Sequence, residues 1–139
     1  MKKLSILILV SIFTISCNSK KHTSEIPTQN INRIWMLVEF KDYKKDFLVE
    51  KKAFLDMKDN AIATSKMGCN NLSFHYKIKN SNIEFNNGIT TEMACLDMKL
   101  EDDFLKSITT MSLFSIDAHI LTLISKEGQK MVFVAQDWD

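Results

Sequence analysis

The sequence predicts a mainly β (α+β) fold, an antiparallel sheet curled into a barrel or half-barrel with one helix packed on it. Three observations carry this expectation. Leu72 to Lys79 alternates without a break: Leu72, Phe74, Tyr76 and Ile78 fall on one face and Ser73, His75, Lys77 and Lys79 on the other, the period of a half-buried antiparallel strand. Further short apolar runs are divided by turn residues, and Gly68, Gly88 and Gly128 each fall between two runs, as expected where the chain needs positive φ. One stretch breaks the rhythm, with Leu100, Phe104, Leu105, Ile108 and Met111 recurring at helical spacing.

Taken in order, the chain opens with Met1, Lys2 and Lys3, followed by an almost wholly apolar run from Leu4 to Ile15. A basic start and an apolar stretch of about a dozen residues describe an export signal; a bilayer-spanning helix needs about 20. Thr14-Ile15-Ser16-Cys17 looks like a bacterial lipobox, although Thr14 stands where Leu is usual. The expectation is therefore a signal peptide over 1–16 and lipid attachment at Cys17, with palmitate-type acyl chains anchoring the protein in a membrane. Residues 17–30 form the lipidated N-terminus and a flexible polar tether holding the only proline, Pro27, and His22. Asn18 is not the aspartate that retains many lipoproteins in the inner membrane, which favours the outer one.

Residues 31–139 are expected to form a single domain. Its β candidates are Ile34 to Phe40, Ala53 to Met57, Ile62 to Lys66, and the hairpin of Leu72 to Lys79 with Ile83 and Phe85 around Asn80-Ser81-Asn82. They continue with Ile89 to Ala94, Leu113 to Ile116, His119 to Ser125 and Met131 to Ala135. The helix carries Glu101, Asp102 and Asp103 in its first turn, which suits its dipole, and Asp97 is a candidate N-cap. Trp138 is expected at the surface or rim.

Charge narrows the partners. The chain has 18 basic and 17 acidic side chains, and loss of Lys2 and Lys3 with the signal leaves a net charge of −1, so a nucleic-acid partner has no support. Cys69 and Cys95 are the cysteines beyond Cys17. In an oxidising compartment a disulfide is their simplest use; two small buried thiols on neighbouring strands are the alternative. His75 faces the polar side of its strand and reads as a solvated histidine better than as a base for Cys69. No spacing of Cys and His prepares a metal site, no cofactor is implied, and the acidic trio reads as a solvated first helical turn. Trp35, Trp138, Phe74, Phe85, Phe104, Met93, Met98 and Met111 supply either a closed core or the lining of a hydrophobic groove.

The order Trp35-x-Leu37, Gly68-Cys69-Asn70, Thr91-x-Met93-Ala94-Cys95, an acidic-led helix at Glu101, then Leu121-x-Leu123 resembles the META domain family, the heat-shock HslJ type. The resemblance runs from Trp35 to Phe133. Where the family often carries a further glycine ahead of Gly-Cys-Asn, this chain has Ser65. The resemblance implies an open, β-barrel-like META fold with one packed helix. It also implies a non-enzymatic envelope protein, often a lipoprotein, in stress tolerance or envelope integrity, with a hydrophobic ligand or an envelope protein as partner. A pilotin-like role, escorting an outer-membrane protein, is the alternative.

Overall fold

The computed structural model of the chain describes residues 31–86 and 88–138. The expected signal peptide, lipid-attachment residue Cys17 and tether fall in 1–30, outside the described residues. The strands are β1 Ile34–Phe40, β2 Phe54–Asp56, β3 Ile62–Lys66, β4 Asn71–Lys79, β5 Asn82–Phe85, β6 Ile89–Thr90, β7 Met111–Asp117, β8 Ile120–Ser125 and β9 Lys130–Ala135; the helices are α1 Lys45–Glu50 and α2 Lys99–Ile108. The mainly antiparallel β architecture is as the sequence predicts, with the curl carried to completion. The order β3-β2-β1-β9-β8-β7-β5-β4 returns to its start through a β3–β4 pairing, so eight strands make a closed barrel. Closure removes the exposed edges that an open sheet would present.

Strand alternation sets the core. Trp35, Leu37 and Phe40 of β1, Leu72, Phe74 and Tyr76 of β4, Leu121 and Leu123 of β8 and Met131, Phe133 and Ala135 of β9 all point inward and are buried. Helix α2 completes this interior with Leu100, Phe104 and Ile108. Phe104 meets Phe40 and Phe74 edge to face at 6.4 and 6.2 Å, joining two strands that are not neighbours in the barrel. Trp35 donates its indole N–H to the carbonyl of Ile31 at 2.8 Å, which satisfies its one polar atom inside the core. The circuit of pairings and this core lie wholly within the described residues.

The sequence and the structure differ at several points. Helix α1 is a second helix where periodicity gave none: of its six residues only Leu48 is buried, too short a stretch to show a stripe. It ends on Lys52 with φ 51°, a left-handed position where a glycine would have been the visible stop signal. Met111, counted on the α2 face, begins β7 instead, because the helix stops at Ile108. Met98 occupies the N-cap position and makes no side-chain cap; Asp97 accepts the Lys99 N–H at 3.2 Å from one residue further out.

The strand expected over Ile89 to Ala94 shrinks to β6. Tyr76 pairs with Phe85 and Ser73 with Ile89, so three steps on β4 face four on the return strand, and β5 and β6 are one strand broken by a bulge. Gly88 sits in that bulge for close approach and not for positive φ, which among the glycines belongs to Gly68 and Gly128. A Cβ on Gly88 would lie 2.6 Å from Phe74 Cδ1 and 3.0 Å from the Ser73 carbonyl oxygen. Ser65 faces inward in β3, paired with Leu55 and Leu72, and the strand runs through it unbroken.

Candidate functional site

The residues of the Gly-Cys-Asn and Thr-x-Met-Ala-Cys motifs come together at the turn between β3 and β4 and the loop that leads to α2. Gly68 adopts φ 123°, a conformation that side chains resist, and an added Cβ would stand 3.2 Å from Cδ of Lys51. The turn therefore both bends the chain and leaves room for the lysine stem. Asn70 follows, buried, with its polar atoms committed. Its backbone N–H and Nδ2 donate to the two carboxylate oxygens of Glu101 at 2.8 and 2.7 Å. Its Oδ1 accepts from the Thr91 hydroxyl at 2.9 Å and from the Met93 N–H at 2.8 Å. Thr91 Oγ1 in turn accepts the Asn71 N–H at 3.1 Å.

Glu101 is only 2% exposed, so the expectation of a solvated acidic turn fails for it. A buried carboxylate is tolerated when donors meet it, and Asn70 supplies two of them in a fork. Of the remaining acidic pair, Asp102 is exposed, while Asp103 is engaged elsewhere. Cys69 and Cys95 are joined in a disulfide, with Cα atoms 6.3 Å apart, so of the two uses open to them the bond is the one adopted. The loop from Thr91 to Asp97 is thus held at Asn70 and at Cys69 while its own side chains face water. Met93 is 56% exposed and Leu96 fully exposed, and so neither belongs to the core. Trp35, the remaining motif residue, is in the barrel interior, and Ala94 is exposed on the loop.

A second cluster joins the β1–α1 connection to α2. Asp103 accepts from the Tyr43 hydroxyl at 2.6 Å, from Lys41 at 3.0 Å and from Lys99 at 3.0 Å, and Lys99 also reaches Tyr43 Oη at 3.2 Å. The Tyr43 hydrogen bond first, then those of Lys41 and Lys99, hold the Asp103 carboxyl well below the usual carboxylate range. Burial first and the bond to Asp103 second push the Tyr43 phenol up. The sign follows for stability: with a folded-state pKa below the unfolded one of about 3.9, the contribution is full above that value and is lost as pH falls through the folded value. Tyr43→Phe is expected to lower stability by about 1 kcal/mol at pH 7, a figure kept small because the lysines remain and the cluster is partly solvated. Urea unfolding of both proteins should show a narrower gap at pH 2 than at pH 7; an equal gap at both would remove Asp103 as its source.

His75 is exposed on β4, as its strand face predicts, and does not meet Cys69. His119 stacks on Trp138 with ring centroids 3.7 Å apart, and Trp138 is 55% exposed, at the rim as expected. Among the described residues no group of three or more His, Cys, Asp or Glu side chains is placed to hold a metal, and no helix is long and apolar enough to cross a membrane. Glu101 and Asp103 are the site residues that sequence reasoning misassigned. Helical periodicity was the available signal: Glu101 lies one position from Leu100 and three from Phe104, on the edge of the buried stripe.

Comparison with known proteins agrees with this arrangement. The family model of the META domain matches residues 28–138. No curated protein matches the chain. Among solved structures, an NMR structure of a protein from Burkholderia xenovorans superposes with a TM-score of 0.63 at 18% identity, over 77% of this chain and 83% of that one. A duf4847 family protein from Bacteroides vulgatus gives a TM-score of 0.56 at 9% identity, over 78% and 96%. At these identities the likeness is one of fold. The family match spans most of the chain and covers both motifs, the clasp they build around Asn70 and the helix that carries Glu101: the chain belongs to the META domain family.

Proposed function

We propose that this chain is a non-enzymatic, lipid-anchored protein of the bacterial cell envelope, favouring the outer membrane, whose META domain serves stress tolerance or envelope integrity by binding. The observation that carries a binding role over a catalytic one is how the motif is spent. Asn70, Glu101 and Thr91 bond to one another, and Cys69 is bonded to Cys95, so the polar and nucleophilic groups of the motif hold a loop in place. Side chains such as Trp35, Phe104 and Phe133 fill the barrel, which favours the outer surface over the interior as the place for a hydrophobic ligand or a protein partner. The anchor rests on Lys2, Lys3, the apolar run and Cys17 in the sequence.

The test is the cysteine. Cells fed labelled palmitate should label the wild-type chain in the membrane fraction, and Cys17→Ala should abolish the label. A Cys17→Ala chain still labelled would sink the anchor. A strain lacking the protein should be more sensitive to detergent or heat, and only the lipidated form should restore it.

A further inference from the structure

The outer wall of the barrel carries a lysine-lined groove beside its exposed apolar loop. On this wall Met36 of β1 pairs with Phe54 of β2, and Phe54 with Lys66 of β3. Inward neighbours Trp35, Leu37 and Leu55 are buried, so Met36 and Phe54 point away from the core and are only partly covered. They floor a groove of about 450 Å³ whose other walls include Lys51, Lys52 and Lys66, with no carboxylate in the lining. Lys51 is paired with Asp97, whose Oδ2 lies 3.5 Å from Lys51 Nζ. Gly68 lets the Lys51 stem pass, and the Lys51 ammonium sits 5.3 Å from the Phe47 ring centre, so this lysine is held and not merely exposed.

Phe54 is shared with a neighbouring depression of about 420 Å³ that includes Ile89. Ile89 is 77% exposed, and the disulfide-held loop adds Met93 and Leu96. Leu96 directly precedes Asp97, the partner of Lys51, which brings the loop to the groove. Solvent-facing apolar side chains next to a cluster of cations form the pattern that seats a protein on an anionic lipid surface: the apolar groups enter the interfacial layer and the ammonium groups meet phosphates. Chain length agrees. Thirteen residues, Asn18 to Asn30, separate Cys17 from Ile31, whose carbonyl accepts from Trp35 just before Met36 on the strand that floors the groove.

We propose that the face formed by Lys51, Lys52, Lys66, Phe54, Ile89 and Leu96 docks on an anionic bilayer, so that the tethered domain lies on the membrane in one orientation. This deepens the anchored reading and takes its geometry from it. The test uses the chain from Asn18 to Asp139, which lacks Cys17 but retains the whole barrel, mixed with phosphatidylglycerol or phosphatidylcholine vesicles and sedimented. Binding to the anionic vesicles alone is expected. A lysine near an anionic surface contributes about fivefold to binding, so Lys51→Gln/Lys52→Gln/Lys66→Gln should weaken it on the order of 100-fold. Ile89→Ser/Leu96→Ser should weaken it about tenfold at raised salt as well. The control Lys77→Gln/Lys79→Gln/Lys126→Gln makes the same charge change around the distant β5–β7 groove and should bind like wild type. Equal loss in the control, equal binding to neutral vesicles, or pelleting without vesicles, which would make the face a self-association surface, overturns the proposal. Because Cys17 is absent from this assay, its failure leaves the palmitate result standing, and failure of the palmitate result leaves this one.

Discussion

Loss of the Cys69–Cys95 bond is expected to lower the unfolding free energy by about 3.5 kcal/mol, the chain-entropy value for a loop of this size. The separation is 26 residues, and the enclosed segment contains β4, β5 and β6. Without the link, the denatured chain regains the freedom of that whole segment, while the folded barrel keeps its pairings. For a domain of about 110 residues this corresponds to a fall in Tm of roughly 15 °C. The Cys69→Ala/Cys95→Ala double variant and reductant-treated wild type should melt together, since Cys95 is exposed and a reductant can reach the bond. Identical melting with and without reductant, for a chain whose mass shows two thiols lost, would mean that the loop is fixed by its hydrogen bonds alone.

Those hydrogen bonds give the second large effect. Asn70→Ala removes the Nδ2 donor from Glu101 and the acceptor used by Thr91 and Met93, leaving a buried carboxylate with one of its two donors from this residue. Hydrogen bonds to a charged group contribute about 1.5–3 kcal/mol and neutral ones about 1, so a loss of about 3 kcal/mol is expected in chemical denaturation. Asn70→Asp is isosteric but places a second carboxylate against Glu101. It should be worse than Asn70→Ala at pH 7, because it replaces the Nδ2 donor with a carboxylate that repels Glu101. An Asn70→Asp protein as stable as wild type at pH 7 would remove the charge from this account. Because the clasp and the disulfide fasten the same loop, combining Asn70→Ala with loss of the bond should cost less than the two losses added.

Strands whose two faces differ are legible in the order of residues alone. β1 and β3 lie where the β candidates Ile34 to Phe40 and Ile62 to Lys66 put them, β4 and its Asn80-Ser81 turn follow from the unbroken pattern at Leu72–Lys79, and α2 follows from Leu100, Phe104 and Ile108. One-sided burial writes a period into the residues, and a period can be read without knowing the partner. The family, too, was legible, since Gly68, Cys69, Asn70 and Thr91 to Cys95 are local signatures. Features that depend on distant contacts have no such signature. Closure of the barrel rests on β1 meeting β9 and β5 meeting β7, strands far apart in the chain, which no local pattern encodes. Helix α1 has one buried side chain and no glycine stop. Glu101 looks like any acid in a first helical turn until Asn70, 31 positions away, comes to it. The lysine-lined groove likewise gathers Lys51 and Lys52 from one connection and Lys66 from another strand, because a closed sheet brings separate segments side by side and leaves no trace of that proximity in the order of residues.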